Sequence, residues 1–263
     1  MFLITGSRGS VARQLMALLD AGGLPYRAAS SDPSAEVRLD LNDPETFAAA
    51  LDGVDAVFLY ANATAPDLFA AAAAEAGVRH VVLLSSSSVL APDPESNPLA
   101  ASHLAAERAL LASPLRVTIL RPGSFAGNAR GWAWAARSGE PIGLPYPEAE
   151  TDPVHETDLA EAALAVLTEP GHDATYYTLT GPESLTFTEQ LAILGLKSET
   201  VTPEQWKQAM AKWMRADYAD SLLDFWRSRV GTPATLTGDV ELLTGHAPRT
   251  FARWAADNAA AFA

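Results

Sequence analysis

The sequence contains no cysteine. That single absence removes a disulfide framework, a zinc–thiolate site, an iron–sulfur cluster and a cysteine nucleophile together. It suits a reducing cytoplasm, which is the expected location. No apolar run approaches the roughly 20 residues of a membrane-spanning helix. The first residues carry no basic stretch leading into a long apolar one, so neither a signal peptide nor a membrane partner is expected. Basic residues are few: 18 Lys and Arg stand against 32 Asp and Glu, giving a formal charge of −14. A nucleic-acid partner, which needs its phosphates neutralised, is not expected either. Internal repeats and low-complexity tails are missing too.

What remains is a chain of 263 residues, 48% hydrophobic and 19% charged, long enough to bury roughly 70% of its unfolded surface without a staple. Phe2-Leu3-Ile4-Thr5 is a short apolar run that stops at a glycine turn. A helix over 11–19 follows, with Val11, Leu15, Leu18 and Leu19 on one face. Strands are expected at 26–29, 37–39, 54–60, 78–84, 117–120 and 176–179, and helices at 67–77, 102–112 and 157–167. Asn42-Asp43-Pro44-Glu45 reads as a capped helix start running to Leu51. Strands alternating with helices of this length imply β–α–β units, right-handed crossovers and a doubly wound parallel α/β sheet.

After Arg121-Pro122-Gly123 the texture becomes aromatic and proline-rich, and from Pro182 onward it is mostly helical. We therefore expect residues 1–125 with about 150–180 to form a dinucleotide-binding unit. Residues 126–149 with 181–263 then form a smaller, mostly helical lobe over the sheet's carboxyl edge. Trp206, Trp213 and Trp226 are assigned to that lobe's own core.

The turn Thr5-Gly6-Ser7-Arg8-Gly9-Ser10-Val11-Ala12 is the most informative local feature. Gly6 permits a tight turn, Gly9 lets the backbone approach an anion, and the helix start offers unpaired N–H groups to a pyrophosphate. Ala12, in the third small position, permits close helix–strand packing. The strand-before, helix-after context is the one this pattern requires. The alternative is an ordinary strand–helix turn. No carboxylate stands at the end of the second strand, Ala28-Ala29-Ser30-Ser31, while Arg8 lies inside the turn. Arginine suits a phosphate, so NADP(H) is favoured over NAD(H). Against this, Arg8 could be a solvated loop charge, and Asp32, one step beyond, could turn inward and select NAD.

A longer series of motifs carries a family resemblance. It comprises T-G-S-R-G-S-V-A from Thr5, L-D-L-N-D-P from Leu39, G-V-D-A-V-F-L from Gly53 and G-V-R-H-V-V-L-L-S-S-S from Gly77. It continues with H-L-A-A-E from His103, L-R-P-G-S-F from Leu120, D-L-A-E-A-A from Asp158, L-T-G-P-E-S-L from Leu179 and T-G-H-A-P-R-T-F from Thr244. In order and spacing the chain resembles the NmrA-like group of atypical short-chain dehydrogenases/reductases. It is most similar to the branch holding quinone oxidoreductase type 2 and triphenylmethane reductase, with ergot-alkaloid-type reductases nearby. The resemblance implies a Rossmann-like fold and assigns cofactor contacts. Asp40 and Leu41 would meet the adenine, Tyr60, Ala61 and Asn62 the ribose and nicotinamide side, and Ser85 and Ser86 the nicotinamide itself. An arginine usual in the family at the second strand's end falls on Ser31 here, which leaves Arg8 and Arg27 as its replacements.

Carbonyl-reducing relatives use a Tyr-x-x-x-Lys pair; here His103 and Glu107 occupy the corresponding helix. Lying one turn apart on one face, the carboxylate would raise the histidine pKa and orient it as an acid. Alternatively, His103 hydrogen-bonds the cofactor ribose or a loop carbonyl. Ser86 aligns with a carbonyl-binding serine. Tyr60, Phe125, Trp132, Trp134, Tyr146 and His155 are the candidate substrate wall, or core packing between lobes. No metal ligand set is expected.

The expected activity is hydride transfer from NAD(P)H to a small electron-poor acceptor: a quinone, iminium or conjugated carbonyl. The alternatives are a non-catalytic redox sensor read by a protein partner, or a non-redox isomerase or cyclase. A small-molecule substrate and a monomer or homodimer complete the expectation.

Overall fold

The computed structural model describes residues 1–61, 65–170 and 176–263. From the N-terminus, six strands come in order: β1 (Phe2–Ile4), β2 (Tyr26–Ser30), β3 (Val37–Arg38), β4 (Ala56–Tyr60), β5 (His80–Leu84) and β6 (Arg116–Pro122). Two short strands, β7 (Ile142–Leu144) and β8 (Glu150–Thr151), precede β9 (Tyr176–Leu179); β10 (Leu185–Thr186) and β11 (Ser198–Thr200) follow. Seven of these build one parallel sheet in the order β3-β2-β1-β4-β5-β6-β9. The chain starts in the middle, runs to one edge, then restarts beside β1 and runs to the other. The reversal places a crevice at the carboxyl ends of β1 and β4, where open α/β sheets bind ligands.

Period-two alternation explains the uninterrupted apolar strands. Leu3, Val57, Val81 and Ile119 point to one face, while Ile4, Phe58, Val82 and Leu120 point to the other. The first face is covered by α2 (Phe47–Leu51) and α3 (Pro66–Glu75), with α4 (Ala101–Leu111) beside them. On the second lie α1 (Ser10–Ala21) and α6 (Glu156–Thr168). The start expected at Asp43 is confirmed: its carboxylate accepts from Glu45 N, and Pro44–Thr46 form a 3₁₀ turn leading into α2.

The remaining helices are α5 (Ala133–Ser138), α7 (Phe187–Ile193), α8 (Pro203–Met210), α9 (Ala216–Ser228), α10 (Asp239–Thr244) and α11 (Phe251–Asp257). Val240 and Leu243 of α10 extend the second sheet face. Trp226 meets Trp206 edge-to-face at 4.9 Å and Phe187 at 5.3 Å. Trp213 departs from expectation. It is 79% exposed, because α8 stops at Met210 and a turn intervenes before α9. Its seven-residue spacing from Trp206 therefore does not continue one helical face. Among the described residues no helix is long and apolar enough to cross a membrane.

The late motifs form a clamp. On α6, Asp158 is fully buried and accepts from Arg249 N at 2.7 Å and from the Arg249 guanidinium. Glu161 takes the same guanidinium at 2.7 and 2.9 Å and His246 Nε2 at 2.9 Å. The D-L-A-E and T-G-H-A-P-R-T-F segments are thus two halves of one ion-pair network that fastens the C-terminal helix to the sheet domain.

His80, at the start of β5, lies 3.0 Å from Thr118 Oγ1 on β6. Burial, reinforced by Arg116, pushes its pKa down to about 4. The unfolded chain binds this proton below the ordinary 6.5 and the folded chain does not, so stability is lost as the pH drops from 6.5 toward about 4. The slope from this group approaches about 1.4 kcal/mol per pH unit. His80→Gln is predicted to flatten the dependence by that amount, as read from urea melts at about pH 7 and about pH 5.

Candidate dinucleotide site

The first turn is shaped for an anion. Gly6 has φ +58°, a conformation strained for any other residue, and a Cβ there would sit 3.5 Å from Tyr60 Cβ. Gly9 caps α1 without a side-chain bond, and no acid lies in the helix's first turn. A Cβ at Gly9 would stand 3.1 Å from the Gly6 carbonyl oxygen. The N–H groups of Ser10, Val11 and Ala12 precede the first helical bond, from Arg13 N to Gly9 O at 3.0 Å, and are left to an external acceptor, with the positive end of the helix dipole behind them. Ser7 N donates to Ala29 O at 3.1 Å, tying the turn to β2.

Beside the turn lies a hollow of about 140 Å³ lined by Thr5, Gly6, Ser31, Leu39, Asp40, Leu41, Asn42 and Tyr60. The Asp40 carboxylate accepts from Asn42 N at 3.0 Å and Asn42 Nδ2 at 3.2 Å, which sets the loop. Tyr60 N donates to Thr5 Oγ1 at 2.9 Å, and the residue remains 44% exposed at the rim. Ala61 behind it is buried, and Asn62 lies outside the described residues. The glycine turn, Ser31, Asp40, Leu41 and Tyr60 are therefore gathered around one crevice. These features fit a dinucleotide: a bare helix N-terminus for the pyrophosphate and an adjoining hollow for the adenosine.

A larger hollow of about 450 Å³ lies along the other half of β2, lined by residues that include Asp20, Tyr26, Arg27 and Glu36. It has neither a strand's carboxyl end nor a helix N-terminus. Arg27 belongs to it and not to the turn: its guanidinium donates to the Asp52 carbonyl near the amino end of β2. The structure does not bring Arg27 to the glycine turn.

Glu107 is only 2% exposed. Its carboxylate receives Ser85 Oγ at 2.6 Å, Arg121 Nε at 3.0 Å and Arg121 Nη2 at 2.5 Å, and the guanidinium stacks 4.1 Å over the Tyr176 ring. Both Glu107 and the Ser85 hydroxyl are thus engaged in joining α4 to β5 and β6. Ser86 caps the following 3₁₀ turn by accepting from Ser88 N at 3.2 Å. His103 is half-buried with an unpartnered Nδ1. Burial lowers its pKa and outweighs the opposing pull of Glu107, so the rise expected from the pair is reversed. The imidazole is neutral at pH 7.

The aromatic candidates separate. Phe125 is half-buried, packs against the second sheet face and bridges to Val154. Trp132 and Tyr146 pack into the C-terminal clusters, Trp132 edge-to-face with Phe187 at 6.0 Å. Trp134 is 51% exposed on α5. Buried His155 caps α6, its Nδ1 accepting from Thr157 N at 3.1 Å, with Nε2 3.5 Å from Asp257. Burial lowers its pKa too. Sequence reasoning missed Tyr218 on α9, whose phenol pKa is raised by burial and then by the charge of Tyr60. Tyr218 is 42% exposed, and a tyrosine on the exposed side of an amphipathic helix was the available signal.

Glu107→Ala would leave the Arg121 guanidinium buried without its partner, a change that costs about 3–5 kcal/mol. Thermal unfolding is predicted to show that loss, and Glu107→Gln, which keeps an acceptor for Ser85, a smaller one.

A family model described as NAD(P)H-binding matches residues 6–170. A Streptomyces griseus protein named (4-alkanoyl-5-oxo-2,5-dihydrofuran-3-yl)methyl phosphate reductase is 36% identical, over 100% of this chain and 99% of its own. An NAD(P)H azoreductase from Xenophilus azovorans is 31% identical over 100% and 99%. The crystal structure of an NADPH-dependent quinone oxidoreductase from Escherichia coli, complexed with NADPH, superposes with TM-score 0.81 at 23% identity. That match covers 98% of this chain and 99% of the other, a likeness of fold. With its glycine turn and switch-point crevice, this chain belongs to the NAD(P)H-binding family of Rossmann-like reductases.

Proposed function

We propose that the chain is an NAD(P)H-dependent reductase of a small electron-poor organic acceptor, favouring NADP(H) over NAD(H). The observation that carries this reading is the uncapped N-terminus of α1 opening onto the hollow at the β1/β4 switch point. When bound there, the dinucleotide supplies a hydride. Of the acceptors considered, a conjugated carbonyl is preferred over a quinone or iminium, because the name of the Streptomyces griseus relative describes a ring alkene conjugated to two carbonyl groups.

The chain's own residues bind and orient. Glu107 is held by Arg121 and Ser85, and His103 keeps an unpartnered Nδ1 with which to hydrogen-bond the cofactor. The lysines, Lys197, Lys207 and Lys212, all lie far from α4 in sequence, which supports a reductase without a Tyr-x-x-x-Lys pair. Rate then comes from placement and an electron-poor acceptor. Residues 1–125 with about 150–180 are assigned to the dinucleotide, and the C-terminal lobe to covering it. A cytoplasmic location accords with the missing cysteines.

Mixing the protein with NADPH and a panel of enones, quinones and imines is predicted to oxidise the cofactor, with the enones fastest. No turnover in any class would overturn the reading, and tight binding without oxidation would favour the sensor. Because burial lowers the His103 pKa below its ordinary 6.5, turnover is predicted to be flat from about pH 7.5 to about pH 8.5. Gly6→Ala, strained at φ +58°, is predicted to weaken NADPH binding about tenfold or more, as read by fluorescence titration.

A further inference from the structure

Helix α9 has three sides. Ala219, Leu223 and Trp226 pack into the cluster around Trp206. Asp217, Asp220 and Asp224 stand in solvent, paired with Arg215, Lys207 and Arg227. Tyr218, Leu222 and Phe225, at i, i+4 and i+7, form a third, apolar strip. Leu222 is partly packed on the Trp206 cluster, but Tyr218 is 42% and Phe225 40% exposed. Arg229, at i+11 and still helical at the C-cap, ends the strip. It differs from the chain's other half-buried arginines. Arg27 donates to the Asp52 carbonyl, Arg121 to Glu107, and Arg249 to Asp158 and Glu161. Even the exposed Arg8 pairs with Asp32 at 2.6 Å. The Arg229 guanidinium has no hydrogen-bond or ion-pair partner among the described residues.

The strip ends at the carboxyl edge of the sheet. Arg229 O accepts from Glu150 N at 3.2 Å, and Val230 bridges to Ala149. Two residues past Glu150, the Asp152 carboxylate accepts from Ser124 N at 3.0 Å and stands over Gly123, where a Cβ would collide with it. Gly123 and Ser124 directly follow β6, the neighbour of β5, whose end carries Ser85 and Ser86. Burial raises the Asp152 pKa despite the Ser124 N–H and the Arg229 charge. A half-buried cation without a bonded counter-ion is costly unless a ligand supplies one. We propose that this strip is the specificity-determining wall for the acceptor: Leu222 and Phe225 take an apolar chain or ring, and Arg229 takes a carboxylate or phosphate at its end. This rests on the reductase reading above and narrows it to acceptors with an apolar body and an anionic end. The planar guanidinium matches either anion with two parallel hydrogen bonds.

Steady-state kinetics with NADPH and alkyl enones alike except for a terminal hydroxyl, carboxylate or phosphate tests this. Wild type is expected to favour an anionic enone over the hydroxyl one about tenfold in kcat/KM, carried by KM. Whichever anion leads is the group that Arg229 takes. Arg229→Gln is expected to lower that anion:hydroxyl ratio about tenfold. Arg229→Lys, which keeps the charge without the fork, should lower it less. Phe225→Ser is expected to lower the preference for a long-chain over a short-chain enone about tenfold. Circular dichroism checks that each variant is folded, and calorimetric titration of the NADP+ complex with the same enones reads the ratios without turnover. A wild-type anion:hydroxyl ratio within about twofold of unity, or one that Arg229→Gln leaves unchanged, overturns the wall and leaves the reductase reading standing. Enones that bind without being oxidised overturn the reductase reading alone, and the calorimetric ratio then judges the wall. Enones neither bound nor oxidised overturn both.

Discussion

The carboxylate of Glu107 is the interaction on which the site side of the sheet depends. An acid with 2% exposure survives in an apolar layer only when its oxygens are fully engaged. The forked guanidinium of Arg121 and the Ser85 hydroxyl supply that engagement. One group thereby joins the end of β5, the middle of α4 and the end of β6. Ser86 begins its turn from this joint, and His103 hangs from the preceding turn of the same helix. Glu107 belongs to the scaffold of the site, and its removal would be felt as lost stability before it is felt in any chemistry.

A second buried network does the corresponding work on the opposite face. Asp158 and Glu161 hold Arg249, and His246 closes on Glu161. Three ligand-type side chains meet there, Asp158, Glu161 and His246, but a guanidinium already neutralises the acids. Nearby, Glu156 accepts from Trp254 Nε1 at 2.8 Å and Arg130 Nη1 at 2.7 Å. The C-terminal helix is thus fastened to α6 by charge-assisted bonds, while the aromatic clusters fill the space between.

Much of this was legible in the sequence because its causes are local. The glycine turn, Pro44 behind Asp43 and the apolar strands each express a constraint within a few residues, and the parallel sheet follows from their alternation. The Glu107 joint was not legible. Its partners stand 22 and 14 residues away, and the i, i+4 spacing to His103 suggested a catalytic pair instead. The histidine's pKa moves down because burial, invisible in sequence, outweighs its neighbouring carboxylate. Arg27 was misplaced because its type suits a phosphate while its register puts it near the strand's amino end. Trp213 failed for a simpler reason: a periodicity was extended through a break in the helix.

The central claim is that a dinucleotide seats on the β1–α1 turn and over the adjoining hollow, not in the larger hollow beside β2. Hydrogen–deuterium exchange with and without saturating NADPH measures this directly. The account predicts slowed exchange in residues 5–12 and 39–42, with residues 20–28 unchanged. Protection confined to residues 20–28, or no protection of the turn, would contradict it.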